Sequence, residues 1–236
     1  MKKPSQNYLY KSAFTMLELV FVIVIIGILA ATIIPQTKTN PLQEAAIQVA
    51  SHIKYTQHLA MMDDRYDANN LDSNTKKSKW YKERWQLVFT SSIYSGGAEA
   101  YTIFSDTIKN STGGANEDEI ARNPENSAQI MTGGYSSTAA VNYTNPNFIG
   151  MEKLNIGNSY GVTSVKFSGG CSGKRISFDH LGRPFKGSQS SMKSPYNSNS
   201  GSQRLIKTEC HIKLSNGSDT VIINIQPETG YVSTAF

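Results

Sequence analysis

The stretch KSAFTMLELVFVIVIIGILAATIIP, residues 11–35, decides how the rest of the chain is read. From Leu19 to Thr37 no residue carries a charge, a run of nineteen that as helix extends about 28 Å, close to the hydrocarbon thickness of a bilayer. The run predicts a transmembrane helix over 14–37. Lys2, Lys3 and Lys11 precede it. By the positive-inside bias they hold the N-terminus in the cytoplasm and send the chain beyond Lys38 to the other side.

One carboxylate, Glu18, stands at the head of this run, and three readings compete for it. In a secretory signal peptide the ILAAT segment would supply a small-residue cleavage site, but a carboxylate bordering the core fits such a signal poorly. In a plain membrane anchor Glu18 snorkels to the interface and favours the positive end of the helix dipole. The third reading takes the residues together: a small residue, Ala13, then Phe14, Thr15, Met16, Leu17, Glu18, then unbroken aliphatics.

That order resembles the class III prepilin signal of type IV pilins and pseudopilins. The resemblance implies a cytoplasmic leader over 1–13, cut by a membrane-bound prepilin peptidase between Ala13 and Phe14, with N-methylation of the new amine on Phe14. It also implies that Glu18 pairs with the N-terminal amine of a neighbouring subunit during filament assembly. The physics agrees, because an intramembrane carboxylate is costly enough to need a partner, and a freshly cut amine is a cation at the right depth. The family most often has Gly before the cut, and Ala13 is its small minor variant. Gly27 and Pro35 fall where the family loosens its helix. On backbone chemistry alone, Pro35 and Pro41 predict a kink or an unwound turn between them.

Beyond the run, Leu42, Ala45, Ala46, Val49, Ile53, Leu59 and Met62 follow helical spacing with polar residues between. They predict an amphipathic continuation over 38–66 that lies on a β-rich domain, 67–236. Expected strands are 84–90, 99–105, 163–169 and 174–180, then an alternating run through Ile206, Thr208, Cys210, Ile212 and Leu214. Asn216-Gly217 turns that run into 221–226. Residues 106–160, rich in Asn, Gly, Ser and Thr, give weak strand signals. The expected fold class is α+β, pilin-like: a long N-terminal helix packed on an antiparallel β-rich periplasmic domain.

Cys171 and Cys210 are the only cysteines. In an oxidising compartment their simplest use is one disulfide, with two unpaired thiols as the alternative. Cys210 and the adjacent His211 point to opposite faces of a strand, and His52 and His58 do not share a helix face, so no metal site is expected. No nucleophile elbow, P-loop or zincin motif occurs, so nothing supports an enzyme or a cofactor.

Two late segments, ISFDHLGRPF at 176–185 and VIINIQPETGYVS at 221–233, resemble the strand-turn-strand signatures of the GspH/FimT group of minor pseudopilins. Ordinary β-turns around Gly182 and Gly230 are the plainer reading. The resemblance implies a single-pass protein of a bacterial inner membrane, its C-terminal domain periplasmic. Its partners would be a prepilin peptidase, other pilins or pseudopilins and an assembly platform, in type II secretion or a type IV pilus.

The formal charge of +5 raises nucleic acid as a partner. Without the three leader lysines, however, 20 basic residues face 18 acidic ones. Between Cys171 and Cys210 seven cations stand against two carboxylates, in and beside a Ser/Asn/Gly-rich stretch. A solvated surface accounts for that. The alternative is phosphate contact through Arg183, Lys186 and Arg204, as in DNA-binding minor pilins of natural-transformation uptake systems.

Overall fold

The structure, a computed structural model, describes residues 14–33, 40–63, 66, 80–107, 113–196 and 204–236. The chain divides into two compact units, Met1–Asn40 and Pro41–Phe236.

The first unit is built on one helix, α1 (Met16–Ile33). Thr15 starts it: its Oγ1 accepts the Glu18 backbone N–H at 3.3 Å, and its carbonyl accepts the Leu19 N–H at 3.2 Å. Thr15-x-x-Glu18 is the spacing of a capping box, so Glu18 has a local reason to stand in the first turn beside any assembly role. Every residue from 14 to 30 is exposed, and apolar side chains cover all sides of the helix. Of the long helix expected over 14–66 the described residues hold α1 and a second helix that opens the other unit, and the expected kink around Pro35 lies outside them. Among the described residues no helix is long and apolar enough to cross a membrane. The charge-free run continues past Ile33 into 34–39, which are not among them.

The second unit opens with α2 (Pro41–Met62). Proline suits the first helical position because its missing N–H has no partner there to lose. One stripe of α2, Leu42, Ala45, Ala46, Val49, Ala50, Ile53, Thr56 and Ala60, is buried. Its four alanines let the backbone lie close to the sheets beneath. Leu59 is half-buried and Met62 exposed, because the helix ends at Met62 rather than near 66 and its last turn overhangs the core.

Two antiparallel four-stranded sheets receive α2. Sheet one is ordered β2-β1-β4-β5: β1 (Trp85–Ser91), β2 (Glu99–Ser105), β4 (Arg175–Phe178) and β5 (Pro184–Lys186). Sheet two is ordered β3-β6-β7-β8: β3 (Ser164–Gly169), β6 (Cys210–Ser215), β7 (Thr220–Ile225) and β8 (Val232–Ala235). A short helix, α3 (Ile156–Tyr160), leads into β3. The core runs from α2 into both sheets through Leu87, Tyr101, Ile103, Ile176, Phe178, Ile212, Leu214 and Ile223.

One expected strand divides. The alternation from Ile206 predicts a single strand, but only Cys210–Ser215 joins sheet two. Residues 204–206 instead cover the edge of sheet one: Lys186 N–H donates to the Arg204 carbonyl at 2.8 Å and Ile206 N–H to that of Pro184 at 2.9 Å. The hinge between the two lies where Gly170 meets Thr208, close enough that a Cβ on Gly170 would overlap the Thr208 carbonyl. Residues 113–160 form turns and single bridges over β2, with a small core of Val88, Phe104, Ile120, Ile130 and Val141.

Cys171 and Cys210 form a disulfide with Cα atoms 5.0 Å apart. It ties the end of β3 to the start of β6, and closing a loop of this length stabilises by about 4 kcal/mol on chain-entropy grounds.

Candidate functional site

Three sets of residues bear on function, and the first is the head of α1. Phe14 is exposed, and Glu18 sits four residues on, in the first helical turn and also exposed. Ala13 lies outside the described residues. Thr15 caps this end of the helix from within, and what it presents is an exposed aromatic residue and an exposed carboxylate.

The second set is the pair of turns singled out in the late segments. After β4 the chain turns through Asp179-His180-Leu181-Gly182-Arg183. Buried Asp179 organises it: Oδ1 accepts the N–H groups of Leu181 at 3.1 Å and Arg183 at 2.9 Å. Oδ2 accepts Arg183 Nε at 2.8 Å and meets Nη2 at 2.7 Å. After β7 the chain turns through Pro227-Glu228-Thr229-Gly230, with positive φ at Glu228 (59°) and Gly230 (65°).

These two turns touch. Gln57 of α2 donates through Nε2 to the Gly182 carbonyl at 2.8 Å and to the Thr229 carbonyl at 2.9 Å. A Cβ on Gly230 would stand 2.6 Å from the Gly182 carbonyl oxygen, and one on Gly182 only 3.1 Å from Met61 Sδ. The glycines therefore answer to close approach as well as to turn geometry, since no larger residue fits where a helix and two turns converge. Sequence alone presented two separate turns, and only Gln57 joins them.

The third set is the basic group, which the structure separates. Arg183 is committed to Asp179, and its guanidinium also lies 5.2 Å from the Tyr196 ring. Lys174 pairs with Glu99 at 2.7 Å. Lys186 and Arg204 are joined through their backbones, with Arg204 Nη2 donating to Ser191 Oγ at 2.6 Å. Partial burial, then the nearby charge of Arg175, hold the Arg204 guanidinium below its usual range. Arg175 reaches Gln86 Oε1 at 3.1 Å and the Gly113 carbonyl at 2.9 Å. Of the three expected phosphate contacts, Arg204 lies near the charge of Arg175, Lys186 meets Arg204 through the backbone, and Arg183 spends its charge internally.

Two features had no signal in the sequence. Arg84, which reads as the solvated start of a strand, is buried with its Cζ 3.9 Å from the Phe185 ring centre and 5.6 Å from those of Trp80 and Tyr196. Burial pushes it down to about 10, and the neighbouring Tyr196 and Asp179 oppose that shift. Its bonds to Gln189 Oε1 at 3.2 Å and the Pro195 carbonyl at 3.4 Å pin the basic loop to the core. Beneath α2, Gln48 Nε2 donates to the Tyr101 hydroxyl at 2.8 Å, which lies 2.6 Å from His52 Nδ1, and the Tyr160 hydroxyl donates to Gln48 Oε1 at 2.7 Å. Burial pushes His52 down to about 4, so the ring is neutral and shares a hydrogen bond with the Tyr101 hydroxyl through Nδ1. His58, on another face, is exposed.

No protein-family model, curated protein or solved structure matches this chain.

Proposed function

We propose that the chain is a prepilin-like subunit of the minor pseudopilin type, serving a type II secretion or type IV pilus system. One observation carries the reading: α1 is apolar on every side and exposed at every residue from 14 to 30, with a single carboxylate in its first turn directly after Ala13-Phe14. A surface of that kind must be covered from outside the chain, first by lipid and then by sister helices. The charge-free run Leu19–Thr37 supports a single pass through a bacterial inner membrane, with 41–236 periplasmic. Prepilin peptidase cuts before Phe14, methylation follows, and Glu18 neutralises the amine of an adjacent subunit on the assembly platform. The mechanism is assembly, not catalysis. Convergence of the two signature turns on Gln57 supports the subtype, because the two short resemblances belong to one packed feature.

Because Glu18 also stands at a capping-box position, the test separates cap from charge. Glu18→Gln keeps the capping spacing and loses the charge, whereas Glu18→Val loses both. Both variants are expected to insert and be cleaved normally, and both to enter filaments at least about tenfold less than wild type, the equivalent of about 1.4 kcal/mol. Wild-type incorporation of Glu18→Gln would leave Glu18 only its local role.

A second reading, contact with DNA phosphates, rests on Arg204 beside Arg175, with Lys186 on the neighbouring strand. Binding of duplex DNA that weakens with salt, and weakens further in Lys186→Glu and Arg204→Glu but not in Arg183→Gln, would favour it. Binding indifferent to salt would remove it.

A further inference from the structure

The two sheets treat their edges differently. Both edges of sheet one are closed by other parts of the chain. On β2, Ile103 N–H donates to the Met131 carbonyl and Gly133 N–H to that of Tyr101, each at 3.0 Å, with bridges at Thr102–Thr132 and Phe104–Ile120. On β5, residues 204–206 do the same through the bridge Phe185–Leu205. Among the described residues sheet two has no such cover: β3 pairs only with β6 and β8 only with β7.

Open edges are templates for another strand, and proteins ordinarily blunt them with charge, proline, bulges or cover. β8, Val232-Ser233-Thr234-Ala235, has neither charge nor proline, and its flanking Tyr231 and Phe236 are exposed. The Tyr231 carbonyl accepts the Gln226 N–H at 2.8 Å and so faces β7. By alternation the N–H and C=O groups of Val232 and Thr234 face away from the sheet. Beside this edge runs a groove of about 440 Å³ lined by Ile47, Ala50, Ser51 and Lys54 of α2 and by Tyr231–Thr234.

We propose that sheet two is continued from copy to copy, with β8 of one subunit pairing antiparallel with β3 of the next. Polarity selects this occupant. Strands alternate across the sheet, so β3 and β8 run in opposite directions. A copy set alongside by translation therefore presents β3 antiparallel to β8 and leaves every α2 pointing the same way, with all Pro41 ends on one side. A two-fold pairing of β8 with β8 would reverse one helix and send the two Pro41 ends in opposite directions, which suits chains that share one membrane through their N-terminal runs less well. A head-to-tail contact of this kind propagates without closing. The uncharged β8 also sets no cation against Lys166, the one charged residue of β3. The proposal rests on the subunit reading only in requiring parallel N-termini.

The test uses full-length protein in membranes of its host, with Lys166→Cys and Ala235→Cys. Both positions are exposed, and in the unshifted register they fall opposite each other across the new pair. With a short bismaleimide linker the double variant is expected to give a ladder of two, three and more copies, while each single variant stays monomeric. Thr234→Pro, which removes an outward N–H, or Ser233→Lys if the proline variant does not fold, is expected to reduce the ladder at least about tenfold without moving Tm. A double variant that stays monomeric overturns the proposal. So does a dimer from Ala235→Cys alone, which is the two-fold pairing, or a ladder that survives both edge variants. The N-terminus of the same sample is read separately. Monomers beginning at Phe14 sink the edge pairing alone, and a ladder of chains still beginning at Met1 sinks the prepilin reading alone.

Discussion

The two helices α1 and α2 stand eight residues apart in one chain and distribute their apolar residues in opposite ways. On α2, Leu42, Val49 and Ile53 are fully buried against two sheets of the same chain, while Glu44, Ser51 and Lys54 face outward. On α1, Leu19, Ile23, Ile26 and Leu29 are as apolar and lie exposed. One helix finds its apolar partner within the chain. On the other the apolar side chains lie exposed from 14 to 30, and its single carboxylate stands in the first turn. Apolar content alone therefore does not separate a core helix from an exposed one; the pattern around the axis does.

The largest effects should separate the two helices most sharply. Ile53→Asp places a carboxylate in a fully buried site with no partner and is expected to unfold Pro41–Phe236, a loss above about 4 kcal/mol. Ile23→Asp on α1 is expected to leave the thermal transition of that unit within about 0.5 kcal/mol of wild type while reducing membrane insertion. Equal destabilisation by both, measured by calorimetry of the full chain in detergent, would mean that α1 belongs to the same core.

Next in size is the staple of sheet two. Replacing Cys171 and Cys210 together by Ser should cost about 4 kcal/mol of stability and respond little to position along α1. An unchanged Tm would show that β3 and β6 hold their register without it.

The smallest effect is the acid response of the network beneath α2. His52 is neutral when folded and protonates only near pH 4, against 6.5 unfolded. Its contribution is thus complete above about 6.5 and is lost as pH falls toward 4, at most about 3 kcal/mol. Asp106, pushed up to about 6 by burial and then by Glu119, acts in the opposite sense as pH falls through 6. The His52 effect is therefore read as the difference between wild type and His52→Asn, which should narrow from pH 6.5 to 4. A difference independent of pH would remove the neutral ring from the account.

Much of the fold was legible in local pattern. The 3.6-residue stripe from Leu42 to Ile53 marked the buried face of α2, and 99–105 proved to be β2 at both ends. Period-two alternation was less faithful at Ile206–Thr208. Buried Ile206 continues the pattern of Cys210 and Ile212, yet its neighbours bond to the other sheet, and alternation cannot say to which edge a residue belongs. Gly182 and Gly230 were visible as turn glycines, but their contact through Gln57 depends on residues more than a hundred positions away. The same distance hid Arg84, whose aromatic surroundings are completed by Phe185 and Tyr196. The disulfide was the simplest use of two cysteines in the expected oxidising compartment, and the structure forms it.

The central claim is that α1 is freed at Phe14 and covered by its sisters. Intact mass and N-terminal sequencing of the protein from membranes of its own host test it most directly. The account predicts a chain beginning at Phe14, heavier by one methyl group than the unmodified product. A chain still beginning at Met1, or one cut near Thr32, would contradict it and leave Glu18 as a helix cap alone.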